Sequence, residues 1–84
     1  MEKVPVGKVT HFFTHISVAV IELSDTLNVG DTISFEGAST NFQQKIDSMQ
    51  IEKQTIPTAK KGQAIGLKTS DRVREGDAVY KIIE

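Results

Sequence analysis

No cysteine occurs among these 84 residues. Disulfide staples, thiolate metal ligands and a thiol nucleophile are therefore excluded. Tryptophan is absent as well, and the aromatics are four phenylalanines and one tyrosine. A surface built to stack bases has little to draw on. No apolar run approaches the roughly 18 residues of a membrane-spanning helix. The opening Met1-Glu2-Lys3-Val4-Pro5-Val6-Gly7 lacks the apolar stretch of a secretion signal. These absences predict a soluble, cytoplasmic chain with no membrane partner. The length predicts one domain over residues 1–84, with a core near the lower practical limit.

Net charge is also nearly absent, at −1, but its distribution is uneven. Residues 1–52 carry three lysines against seven carboxylates, and residues 53–83 carry seven cationic side chains against three carboxylates. Such polarity suits either an anionic partner at one end or a mixed, solvated surface.

What the chain does have is one kind of turn, used three times. Val29-Gly30-Asp31, Lys61-Gly62-Gln63 and Glu75-Gly76-Asp77 each put a glycine and a short polar residue before a β-like run. Glycine supplies the positive φ of tight turns, and Asp bonds its own backbone nearby. The spacing predicts an all-β fold with about six strands. The first two span 6–13, with Val9, His11 and Phe13 on one face, and 16–23, apolar on both faces. The third, 31–36, turns Ile33 and Phe35 inward. The fourth, 42–52, needs a bulge near Asp47-Ser48 to bring Phe42, Ile46, Met49 and Ile51 to one face, and helix competes there. The fifth, 63–69, turns Ile65 and Leu67 inward, and the sixth is 77–83, with either face a candidate core side. Pro57 makes residues 54–60 a connector. Hiding both faces and the edges of so few strands predicts a small, closed, six-stranded, mostly antiparallel barrel.

The residues around these turns carry a resemblance. Leu27-Asn28-Val29-Gly30-Asp31-Thr32-Ile33 resembles the "L-x-V-G-D-x-I" turn in the second, β-barrel domain of elongation factor Tu and other translational GTPases. Lys45-Ile46-Asp47-Ser48-Met49-Gln50-Ile51, Ala59-Lys60-Lys61-Gly62-Gln63-Ala64-Ile65-Gly66-Leu67 and Val73-Arg74-Glu75-Gly76-Asp77-Ala78-Val79 resemble further stretches of that barrel in the same order. Similar wording closes the C-terminus of collagenase-like peptidase proteins and fills short, free-standing translation-elongation-factor-like proteins. The resemblance implies the barrel and not the GTPase. No Gly-rich phosphate loop precedes Lys68-Thr69, so nucleotide binding is not expected.

Chemistry-bearing residues are sparse. His11 and His15 lie about 13 Å apart if the strand continues, too far for one metal ion. No nucleophile or acid–base signature accompanies the serines and carboxylates, so neither cofactor, metal site nor enzymatic activity is expected. The candidate site is basic. Lys68, Arg72 and Arg74 sit at or beyond the end of the fifth strand, and Lys60 and Lys61 precede it, about 20 Å away. An extended Arg72-Val73-Arg74 would point both guanidinium groups one way, as a phosphate or carboxylate clamp. A solvated loop paired with Asp71 and Glu75 is the alternative. With the resemblance, these residues lead to the expectation of a non-catalytic module that contacts RNA or a translation or RNA-modification protein. A protein-interaction or oligomerisation barrel is the second expectation.

Overall fold

The computed structural model describes residues 2–83, and they contain ten strands and no helix. The strands are β1 (Glu2–Phe13), β2 (Val18–Leu23), β3 (Leu27–Asn28), β4 (Thr32–Glu36), β5 (Asn41–Lys45), β6 (Met49–Ile51), β7 (Gln54–Ile56), β8 (Thr58–Ala59), β9 (Ala64–Lys68) and β10 (Ala78–Ile83). Eight form one antiparallel sheet in the order β5-β4-β10-β1-β2-β9-β6-β7, and β3 pairs with β8 separately.

Each glycine turn is built the same way. Gly30, Gly62 and Gly76 have φ of 96°, 90° and 91°, the left-handed region that a third turn residue adopts in type II geometry. The residue after each glycine closes the turn, Asp31 N–H to Asn28 C=O, Gln63 to Lys60 and Asp77 to Arg74, each at 3.1 Å. Its side chain then accepts the N–H of the first turn residue, with Asp31 on Asn28, Gln63 on Lys60 and Asp77 on Arg74, each at 2.8 Å. Gly–Asp, or Gly–Gln, therefore specifies the turn twice: by glycine's conformation and by a returning side chain.

The core lies inside the curled sheet. Val6, Val9, Ile21, Leu27, Ile33, Phe35, Ile46, Met49, Ile65, Leu67, Val73 and Val79 are all buried, and each such side chain stabilises by about 1.5–3 kcal/mol. Ile33, Phe35, Ile65 and Leu67 face inward as their alternation requires. In β10 the core side belongs to Val79. The fourth predicted strand divides into β5 and β6 at residues 46–48, which brings Ile46 and Met49 into the core and leaves Phe42 and Ile51 packed against it.

Four expectations change. The predicted closed six-stranded barrel is not what the hydrogen bonds form: β5 pairs only with β4, while β6 pairs with β9 and β7, so the two ends of the ladder do not pair. The covalent link at residues 46–48 joins β5 to β6 instead. Val9, His11 and Phe13 do not share a face, because the β1–β2 register shifts between Val9 and His11. The extra residue reverses the alternation, so Phe12 packs on the core and Phe13 is exposed. Ile16 lies in the turn after β1 and is exposed. Residues 54–60 are no plain connector but contain β7 and β8 on either side of Pro57.

The β6–β7 hairpin carries local strain. Glu52 and Lys53 form its two-residue loop with φ of 50° and 67°. Both central residues at positive φ is the type I′ pattern that favours Asn-Gly, and side chains with a Cβ resist it by roughly 1 kcal/mol each. The double change Glu52→Asn and Lys53→Gly should raise stability by about 1–2 kcal/mol in urea unfolding, with an unchanged urea dependence.

The outer face holds a second ordered cluster. Lys3 Nζ donates to Glu36 Oε2 at 2.7 Å, and the buried Ser34 hydroxyl donates to the same oxygen at 2.9 Å. The Lys3 bond first, and the Ser34 bond second, hold the Glu36 carboxyl below its ordinary pKa. A folded-state pKa lowered in this way stabilises above the unfolded carboxyl's pKa, and the gain is lost as pH falls through the folded value. Acid titration of thermal stability should show the wild type losing more below pH ~4.5 than Glu36→Gln does.

Candidate functional site

The failure of the sheet to close leaves a groove between β5 and the far end of β9. It is lined by Gln44, Lys45, Asp47, Ser48, Leu67, Lys68, Thr69 and Ser70, with a volume near 440 Å³. β6 covers the edge of β9 only at Gly66, opposite Gln50. Beyond that point β9 and its continuation face β5 across the groove.

Gln44 spans this opening. Its Nε2 donates to the Lys68 carbonyl at 2.9 Å, and its Oε1 accepts the Ser70 N–H at 2.7 Å. On the opposite edge of the same stretch, Thr69 N–H donates to the Ser17 carbonyl at 2.8 Å. One side-chain amide thus serves two backbone groups that a neighbouring strand would otherwise take. Gln44 was missed as a functional candidate, yet the sequence carries a signal for it. It is a polar residue at the inward-facing register between Phe42 and Ile46, where the core pattern calls for an apolar one.

A second cleft adjoins the first at Ser70. Phe12, Thr14, Ser17, Asp71 and Arg72 complete its lining, and its volume is near 550 Å³. The basic residues distribute around these two openings. Lys68 lines the groove, and Arg72 lines the second cleft. Arg72 and Arg74 are exposed on either side of buried Val73, the alternation an extended segment requires. Lys60 and Lys61 are exposed in the second glycine turn, at the opposite end of β9. The five cationic residues therefore do not form one cluster along the groove.

Their expected carboxylate partners are otherwise engaged. Glu75 Oε2 lies 3.0 Å from His11 Nδ1, and the Asp71 side chain accepts the Arg72 backbone N–H at 2.7 Å. The ion pairs among the described residues are Lys3–Glu36 and Lys81–Asp31, and His11 meets Glu75 through a hydrogen bond, so neither Arg72 nor Arg74 belongs to an ion pair. Lys45 and Lys68 outnumber the single groove carboxylate, Asp47. The arrangement offers backbone hydrogen bonding along an edge, with cationic side chains beside it. No group of three or more His, Cys, Asp or Glu side chains among the described residues is placed to hold a metal ion, and no helix is long and apolar enough to cross a membrane.

Comparison with known proteins gives this geometry a context. No family model matches the chain. It is 42% identical, over 98% of its own length, to an uncharacterized protease of Methanocaldococcus jannaschii. It is 35% identical, over 95% of its length, to a collagenase of Porphyromonas gingivalis. The chain spans about a fifth of the length of each of these relatives. Among solved structures, the C-terminal domain of a protein assigned to the U32 peptidases of Geobacillus thermoleovorans superposes with a TM-score of 0.87 at 20% identity, covering 93% of this chain and 91% of that domain. The two share a fold.

These findings support the collagenase-like part of the resemblance and give the elongation-factor part no support. They overturn the expectation of a module for RNA or for translation and RNA-modification proteins, since the relatives are named as a protease and a collagenase. The expectation of no enzymatic activity is overturned by the same names, which point to an enzyme family, although this chain spans only a fifth of each relative. The turn motifs led to a β-domain, and β-domains host unrelated functions; the motifs describe strand junctions and not a ligand.

Proposed function

We propose that this chain is the counterpart of the C-terminal β-domain of collagenase-like U32 peptidases, and that it serves polypeptide breakdown by holding an extended stretch of substrate. The observation that carries this reading is the 42% identity to a protease across 98% of the chain. The 0.87 TM-score to the U32 C-terminal domain supports it from the side of the fold. The whole chain, 1–84, acts as one unit in this role.

The chemistry of the groove fits a polypeptide better than a small molecule. What it presents is a strand edge, and strand edges recognise other backbones. The barrel wall is in this reading left open at one seam, beside β5 and β9, and the opening is where substrate lies. Lys68, Arg72 and Arg74 then meet substrate carboxylates, for which the planar guanidinium is suited. Lys60 and Lys61 act at the far end of β9, toward another segment of the same polypeptide.

Calorimetric titration of the chain with heat-denatured collagen tests the reading. Saturable binding with a dissociation constant below about 1 mM is expected, and it should weaken with added salt. Native triple-helical collagen, whose backbones are wound on one another, should bind less well. Absence of binding to denatured collagen and to a second unfolded protein at millimolar concentration would contradict it.

A further inference from the structure

The two backbone groups held by Gln44 define more than a seal. In the β4–β5 pair, Thr40 and Gly37 exchange hydrogen bonds, and Ile46 N–H bonds to the Asp31 carbonyl. Antiparallel pairing alternates every second residue. Phe42 and Gln44 therefore also turn their backbone groups toward β4, while Asn41, Gln43 and Lys45 turn theirs away from it, with Lys45 lining the groove. Across it stand the Lys68 carbonyl and the Ser70 N–H, already turned away from β2. Both walls of the opening consequently present backbone donors and acceptors in strand alternation.

The spacing and direction suit one inserted strand. A glutamine side chain with its hydrogen bond reaches on the order of two interstrand spacings of about 4.8 Å. A carbonyl and the N–H two residues later, on either side of Thr69, are the pair that a parallel neighbour meets with the N–H and C=O of one residue. The antiparallel pairings from β5 through β4, β10, β1 and β2 to β9 leave β5 and β9 running in opposite directions. A strand parallel to β9 is then antiparallel to β5, so both walls can be served together.

From this placement we infer that the β5–β9 groove is a strand-addition site, in which the Gln44 carboxamide stands in for a peptide group until an extended, acidic polypeptide segment displaces it. The inference rests on the polypeptide-holding reading above and names its site. The segment contributes three or four residues, because the uncovered edge runs only from Leu67 to Ser70 before the chain turns away toward Val73. Acidic side chains are favoured by Lys45 and Lys68, which outnumber Asp47 in the groove, while Arg72 in the cleft that meets it at Ser70 stands beside Asp71. Gln44 sets the threshold of binding. Its amide satisfies this exposed stretch of edge when the groove is empty and competes with the incoming strand when it is not.

The test uses the isotope-labelled chain and a blocked peptide, acetyl-Thr-Val-Glu-Val-Glu-Thr-amide. Two further probes replace its glutamates by lysine or carry N-methyl groups on its valines. Titration followed by NMR should move the Gln44 side-chain amide signals together with the backbone amides of Gln43, Lys45 and Ser70. N-methylation of the valines removes the donors along one edge of the peptide strand and should weaken binding about tenfold, the worth of roughly one hydrogen bond. The lysine peptide should bind less tightly than the glutamate peptide. Gln44→Ala, which removes the competing amide, should bind the glutamate peptide more tightly, by about threefold to tenfold. Weaker binding by a folded Gln44→Ala protein would overturn the inference. If that variant does not fold, the wild-type titrations decide: indifference to N-methylation, or shifts confined to surfaces away from Ser70, would overturn it. Denatured collagen that binds but maps elsewhere would refute this site alone. Failure of both collagen and peptide to bind would refute the polypeptide-holding reading with it.

Discussion

Each glycine turn donates its Gly N–H to a carbonyl on another part of the sheet, and accepts the N–H of that same residue on the carbonyl that follows the glycine. Gly76 and Asp77 hold Val9 in this way, Gly62 and Gln63 hold Leu23, and Gly30 and Asp31 hold Ile46, with distances of 2.7–2.9 Å. Val9, Leu23 and Ile46 are all buried. The three clips therefore fix where core side chains enter, and not only where the chain reverses. Each lies at a weak point of the ladder: beside the β1 register shift, at the end of β2, and just past the end of β5. Without them, buried N–H and C=O groups at these places would lack partners, at a cost of roughly 1–3 kcal/mol apiece. In a domain this small, that is a large share of the total stability.

The seam begins where the third clip ends. Ile46 and Asp31 extend the β4–β5 register by one step, and beyond them the chain leaves β4 and the next strand, β6, pairs on β9. The far end of β9 is left without a ladder on the edge away from β2, and there a side-chain amide fills the place of a backbone. The candidate site is thus a consequence of how the core is closed. A sheet that closed fully would hide its edges and have nothing to offer another chain.

Much of the fold was legible because it rests on local rules. The three glycine turns and the inward faces of β4 and β9 follow from alternation and turn chemistry, and the irregularity near Asp47-Ser48 was expected as a bulge where the chain breaks into β5 and β6. The bulge in β1 was not legible: nothing in Val9-Thr10-His11 distinguishes an inserted residue from a regular one, so Phe12 and Phe13 exchanged faces. The β6–β7 hairpin was hidden because Glu52-Lys53 is a poor sequence for the turn it makes. The site was less legible than the fold. The basic residues were read correctly as two groups at opposite ends of β9, with Lys60 and Lys61 away from Lys68, but charge alone did not point to the groove. Gln44, which bridges the groove, is visible only as an irregularity in a core pattern. The function class was misread because turn motifs report a β-domain, and such a domain is compatible with many ligands.

Native-state hydrogen exchange tests the account most directly, because it ranks individual hydrogen bonds by the opening that breaks them. The amides of Gly30, Gly62 and Gly76, and those of Val9, Leu23 and Ile46, should exchange only through global unfolding and give one common free energy. The Ser70 amide, held by the Gln44 side chain alone, should exchange through a local opening at a clearly lower free energy, with little dependence on denaturant. Equal protection of Ser70 and the clip amides, or local exchange at the three glycines, would contradict a molecule clipped at three points and sealed at one replaceable seam.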